Sequence, residues 1–279
     1  MTRRGALAGL GGSLGAAVLA VLTGCSTSSS TDPAVPKPRR IAYGDDRAQF
    51  GELTRPSGRS RGVVVVIHGG YWTSSYGLEL GRPLAKDLAA RGYTAWNIEY
   101  RRVGTGGGVP HTLDDVAAAI DRLADIDGLD LSRVVALGHS AGGQLAAWAA
   151  ARGRFDRWKA ERVTLTAVVS QAGVLDLRGG AAANLGGGAI PAFLGDQPDD
   201  DRVDPTQQLP LDVPVRCVHG LDDTIVPMNQ SADYVARARK AGADATLTRV
   251  PGDHFALITT SSEAWRTIVG ILGDLVPSA

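Results

Sequence analysis

Neither sign of charge prevails in this 279-residue chain, in which 29 Lys and Arg side chains face 29 Asp and Glu. No broad basic surface for nucleic acid or anionic lipid is implied, and the expected partner is a small, weakly charged molecule. Cysteine is scarce too. Of the two present, Cys25 falls at the end of an N-terminal leader, which leaves Cys217 alone in the remaining domain and excludes an internal disulfide. No H-E-x-x-H or C-x-x-C occurs, and "GTGGG" at 104–108 lacks the strand-then-helix setting of a phosphate loop, so no cofactor and no metal are expected. "DQPDDDRVD" lacks the alternating ligands and central Gly of a calcium loop and reads as a solvated turn.

The leader begins with Arg3 and Arg4, continues as a Gly- and Ala-rich apolar stretch from about Ala6 to Leu22, and ends in "LTGC". Charge, apolar run and small-residue cleavage site form a signal peptide over 1–24. The run is short for the ~30 Å of a bilayer core, which makes a permanent span the weaker reading. Residues 25–40, including "STSSSTDPAVPKPRR", are Ser-, Thr- and Pro-rich and read as a disordered tether.

From residue 41 to 279, apolar runs such as "GVVVVI", "RVVALG" and "VPVRCVHG" alternate with helix-like segments such as "GRPLAKDLAARG" and "EAWRTIVGILGDLV". This alternation predicts one α/β domain with a mostly parallel central sheet and helices on both faces. Residues 176–212, dense in Gly, Pro and Asp, break the rhythm and read as a short irregular cap.

"GHSAG" at 138–142 follows the strand-like "RVVAL" and precedes the helix-like "GGQLAAWAAA". A Ser at the apex of a tight strand-to-helix turn presents its Oγ outward, so Ser140 is the candidate nucleophile. A Ser hydroxyl needs a base, and in this layout the base follows an acid in the order Ser, Asp, His. Only His254, in "PGDHFAL", lies beyond the best acids, and either Asp222 or Asp223 in "VHGLDDTIVP" can orient it.

Taken together, "HGGYW", "GHSAGGQLA", "HGLDDTIVP" and "GDHFALI" resemble the α/β-hydrolase superfamily, within it the esterase and kynurenine formamidase (arylformamidase) branch related to hormone-sensitive lipase. The resemblance implies a triad of Ser140, Asp223 and His254, with Asp223 at the acid position of the H-G-x-x-D-x-x-V-P pattern. It also implies oxyanion donors at the backbone N–H groups of Gly70, Tyr71 and Ala141. "LTGC" resembles the lipobox of bacterial lipoproteins, which implies a lipid on Cys25 and an exported protein held at the outer face of the cell membrane by that anchor. "TRRGAL" resembles a twin-arginine signal only in part, and an ordinary leader is preferred.

The activity these residues imply is serine hydrolysis of a small carboxylic ester or aryl-formamide. Trp72, Tyr100, His139 and Phe255 are expected along the substrate pocket, while His68 is expected to be structural. Arg101 is expected to pair with Asp114 or Asp115. Two alternatives keep the same scaffold: a peptidase or polysaccharide de-esterase, and an inactive, surface-anchored binding protein. The oligomeric state is left open.

Overall fold

The computed structural model describes residues 35–197 and 200–277. The leader, Cys25 and most of the tether lie outside them. Among the described residues, no helix is long and apolar enough to cross a membrane.

Eight strands form one sheet in the order β1-β2-β4-β3-β5-β6-β7-β8. They are β1 (Arg39–Ala42), β2 (Phe50–Thr54), β3 (Val63–Ile67), β4 (Thr94–Ile98), β5 (Val134–His139), β6 (Ala167–Gln171), β7 (Val215–Gly220) and β8 (Ala245–Val250). The first two pair antiparallel along one edge, and every pairing from β4 to β8 is parallel. β3 shows why its run is uninterrupted. Val63, Val65 and Ile67 enter the core on one face, Val64 and Val66 enter it on the other, and all five are buried. A strand covered on both faces has no polar positions to show.

On one face lie α1 (Arg82–Ala90) and α7 (Glu263–Leu275). On the other lie α2 (His111–Asp121), α3 (Ala141–Ala151) and α6 (Asn229–Lys240). The segment expected to be an irregular cap contains two short helices, α4 (Leu177–Ala182) and α5 (Ala189–Leu194), separated by three glycines in the left-handed region. One boundary needs correction: Arg39 and Arg40, assigned above to the tether, already pair with Leu53 and Glu52 in β1. Their exposed, charged side chains conceal a strand held by the edge ladder, by Arg40 stacked on Phe50 and by Ile41 against the core.

Strand order reverses between β3 and β5, which have β4 and β6 as their other neighbours. Ligands of open α/β sheets collect outside the carboxyl ends of strands at such a switch point. The loops carrying His68 to Trp72, Ser140, Asp223 and His254 follow the carboxyl ends of β3, β5, β7 and β8.

Candidate active site

Ser140 sits between β5 and α3 at φ 56° and ψ −122°, a conformation a non-glycine residue holds only when its surroundings enforce it. The turn is tight: a Cβ at Gly142 would lie 2.2 Å from the Ile67 carbonyl oxygen. The Ser140 backbone is pinned by its N–H donating to Gln171 O at 2.8 Å and by its carbonyl accepting from Gly143 at 2.8 Å. The side chain tops a helix N-terminus, where the dipole favours developing negative charge.

Asp223, not Asp222, bonds the imidazole: His254 Nδ1 donates to Asp223 Oδ2 at 2.7 Å. The other carboxylate oxygen accepts from the N–H groups of Ile225 and Val226, each at 2.9 Å. A second imidazole stands behind the acid. His219 Nε2 lies 3.4 Å from Asp223 Oδ2 and donates to Val226 O at 2.9 Å, while its Nδ1 meets Ser231 Oγ at 2.8 Å. Burial pushes the Asp223 carboxyl upward. Hydrogen bonds from His219, His254 and Val226, with the charge of His254, outweigh it and hold the group far below the usual carboxylate range. Asp223 is therefore a fixed anion with its lone pairs assigned.

The loop after β3 passes close beside Ser140. A Cβ at Gly69 would stand 2.7 Å from His139 O and 2.9 Å from Ser140 Cβ, so only glycine allows this approach. Gly70, Tyr71 and Trp72 follow with φ of 112°, 51° and 56°. Among the described residues, the backbone N–H groups of Gly70, Tyr71 and Ala141 have no acceptor. His68 holds this loop from behind. Its Nδ1 donates to Gly69 O at 2.8 Å and its Nε2 meets Glu99 Oε1 at 3.1 Å, while Glu99 also accepts from Leu78 N and Tyr100 N.

Ser140 and His254 line one cleft, open to solvent, with Gly70, Tyr71, Tyr76, Leu80, His139, Ile225 and Phe255. No hydrogen bond is closed between Ser140 Oγ and His254, a contact that characteristically tightens only around substrate. A larger hollow lies beside Glu52, Arg82 and Lys86, and its lining holds no Ser, Cys or His. Among the described residues no cluster of three or more His, Cys, Asp or Glu is placed to hold a metal ion.

The chain as a whole has known counterparts. Residues 53–237 match the family described as BD-FAE. The chain belongs to the BD-FAE family. Esterase LipC of Mycobacterium tuberculosis (strain ATCC 25618 / H37Rv) is 26% identical over 220 residues, covering 72% of this chain and 55% of that protein. The chain thus spans about half the length of this curated relative. Esterase B from Lactobacillus rhamnosis, in a structure described with a tributyrin phosphonate, superposes with TM-score 0.77 at 22% identity, covering 87% of this chain and 85% of that one. A bacterial heroin esterase superposes with TM-score 0.70 at 23% identity, covering 89% and 86%. These likenesses establish the α/β-hydrolase fold for this BD-FAE chain.

Two residues expected along the pocket of this BD-FAE chain are elsewhere. Trp72 is fully buried, stacks on Phe193 of α5 at 4.4 Å and donates from Nε1 to Gln144 Oε1 at 3.1 Å, so it ties the cap to α3. Tyr100 is also fully buried, stacked on His68 at 4.3 Å with its hydroxyl donating to His68 O at 2.8 Å. In both cases a large apolar ring gains more from the core than from a wetted cleft. His139 and Phe255 do line the cleft. His139 Nε2 donates to His254 O at 3.0 Å, and burial, then the neighbouring charge of His254, pushes His139 down to about 3. Arg101 pairs bidentately with Asp115, whereas Asp114 holds Arg157 and the Trp158 indole. Tyr76, Leu80, Ile225 and His219 were not singled out from the sequence. Cys217 is buried and its thiol is pushed up to about 12.

Proposed function

We propose that this protein is a serine hydrolase that cleaves a small, uncharged carboxylic ester or aryl-formamide through an acyl-enzyme on Ser140. One observation carries the reading: His254, bonded to the buried, fixed carboxylate of Asp223, shares its cleft with the strained Ser140. His254 takes the Oγ proton as Oγ bonds to the carbonyl carbon, and the substrate oxygen becomes an anion received by the N–H groups of Gly70, Tyr71 and Ala141. The carbonyl re-forms, the bond to the leaving group breaks, and His254 returns the proton to it. Water then repeats the sequence against the acyl-enzyme, releasing the acid and restoring Ser140. Asp223 keeps the proton of neutral His254 on Nδ1 and stabilises the imidazolium. The esterase names of the relatives and the absence of any Asp, Glu, Lys or Arg from the cleft lining support an uncharged ester.

The test is labelling with a fluorophosphonate probe and turnover of nitrophenyl acetate. Wild type is expected to be labelled at Ser140, and Ser140→Ala to remain folded without turnover. Unchanged turnover in that variant refutes the assignment. The leader supports export and lipidation at Cys25, which mass spectrometry of the mature N-terminus tests; an unmodified chain retaining residues before Cys25 refutes it.

A further inference from the structure

Two aromatic side chains of the cleft lining, Phe255 and Tyr71, stand on loops that follow different strands. At one end stands Phe255, half exposed, its ring edge-on to His254 at 5.5 Å. On the hydrolase reading above, the group that His254 protonates departs past this ring. The other side is bounded by Tyr71, whose own N–H is one of the three without an acceptor. An acyl chain attached to a carbonyl carbon whose oxygen meets that N–H starts beside the Tyr71 side chain.

That side chain is fixed on three counts. Its backbone is in the left-handed region at φ 51°. Its hydroxyl donates to Ile225 O at 3.2 Å, joining two loops 154 residues apart across the cleft. Behind its ring lies Gly186, where a Cβ would come within 2.5 Å of Tyr71 Cε1, so the cap is in direct contact with the ring. Beyond this contact, Gly187 and Gly188 have nothing within 4 Å of where a Cβ would be. Tyr71 thus stands between the cleft, which its ring lines, and the glycine segment of the cap that touches that ring.

We propose that the Tyr71–Ile225 bridge is the end wall of the acyl subsite and restricts the enzyme to short acyl groups, of formyl to about butyryl size. The inference rests on the hydrolase reading above and adds its substrate class. The wall consists of a side chain, so removing it lets a longer chain pass toward the glycine segment of the cap while the leaving-group end stays as it is. Each added CH₂ that finds apolar surface contributes about fourfold, and one that meets a wall contributes nothing or a clash.

The experiment measures kcat/KM for p-nitrophenyl acetate, butyrate and hexanoate, which share a leaving group and differ only in the acyl chain. Wild type is expected to favour acetate over hexanoate at least tenfold. Tyr71→Ala lowers overall activity through the oxyanion loop, so the informative quantity is the hexanoate-to-acetate ratio, expected to rise at least tenfold. Tyr71→Phe, which cuts the bridge and keeps the ring, is expected to raise the ratio by a smaller factor and guards against misfolding of the alanine variant. A wild-type preference for hexanoate, or a ratio unmoved in both variants, overturns the proposal and leaves the hydrolase reading intact. Absence of turnover on all three esters together with absence of fluorophosphonate labelling overturns both.

Discussion

Replacing Asp223 by Asn keeps the size of the side chain and tests whether its charge and lone pairs orient His254. Oδ1 accepts from two backbone N–H groups, Ile225 and Val226, at 2.9 Å each. The amide must therefore keep its oxygen there and turn its NH₂ to where Oδ2 now meets His254 Nδ1 at 2.7 Å. An NH₂ at that position donates to Nδ1, which moves the imidazole proton to Nε2 and leaves no lone pair to take the Ser140 proton. Loss of the correct tautomer alone lowers kcat about 10⁴-fold in a Ser-His-Asp triad. At about 1.36 kcal/mol per decade, that is about 5.5 kcal/mol of transition-state stabilisation. Asp222, exposed one residue earlier, is the control, and Asp222→Asn is expected to stay within about twofold. The assay is kcat on p-nitrophenyl acetate with circular dichroism to verify folding. A kcat for Asp223→Asn within tenfold of wild type, or a larger loss from Asp222→Asn, refutes the assignment of the acid. A stability effect accompanies this. The folded-state pKa of Asp223 lies below its unfolded value, so its contribution is present above pH about 4 and is lost as pH falls toward the folded value.

Two further predictions follow from the same cleft and its surroundings. His139, at about 3 in the folded state against 6.5 unfolded, stays neutral while the unfolded chain takes up a proton. Stability is therefore complete above pH about 6.5 and falls below it, by up to about 1.4 kcal/mol per pH unit. His139→Asn is expected to flatten that fall in urea unfolding at pH 7, 6 and 5, and equal slopes in the two proteins contradict it. Trp72→Phe leaves Gln144 Oε1 buried without its donor, at a cost of about 1–3 kcal/mol. For a domain of this size that corresponds to a fall in Tm of roughly 2–12 °C, with KM nearly unchanged. A shifted KM at unchanged Tm would return Trp72 to the pocket.

The parts of the fold that could be read from the sequence are those where burial leaves a one-dimensional trace. β3, β5 and β7 are buried on both faces and show as apolar runs, and helices such as α1 and α7 show as spaced apolar positions. β1 and β2 left no trace: "RRIA" is mostly exposed and "FGELT" carries a Glu and a Gly, and antiparallel pairing to a neighbour is invisible in either segment alone. The positions of Ser140, Asp223 and His254 were legible because glycines and strand ends mark the turns that carry them. Loops lack periodicity, and this is why the sequence did not separate lining from packing. Trp72 lies next to Tyr71 in sequence, yet the two successive left-handed residues turn one ring into the core and leave the other in the cleft.

That difference is a matter of strain. Five described non-glycine residues have positive φ: Tyr71, Trp72, Ser140, Ala172 and Asn184. The first four lie just beyond the carboxyl ends of β3, β5 and β6, side by side around the switch point of the sheet. Each costs on the order of 1–2 kcal/mol relative to an ordinary backbone, so together they consume about 4–8 kcal/mol. That is comparable to the whole net stability of a typical domain. Such a concentration persists only where the surroundings over-determine it. Here those surroundings are the ladder on either side of β5, the His68–Glu99 pair behind the β3 loop and the Trp72–Gln144 bond beneath it. Tyr71 and Ala172 look like residues of any strand end, and their strain belongs to the packing around them. The backbone of the β3 and β5 loops is thus set by residues outside the cleft lining, and on the proposed mechanism conservative changes at His68, Glu99 or Gln144 should impair kcat before they unfold the protein.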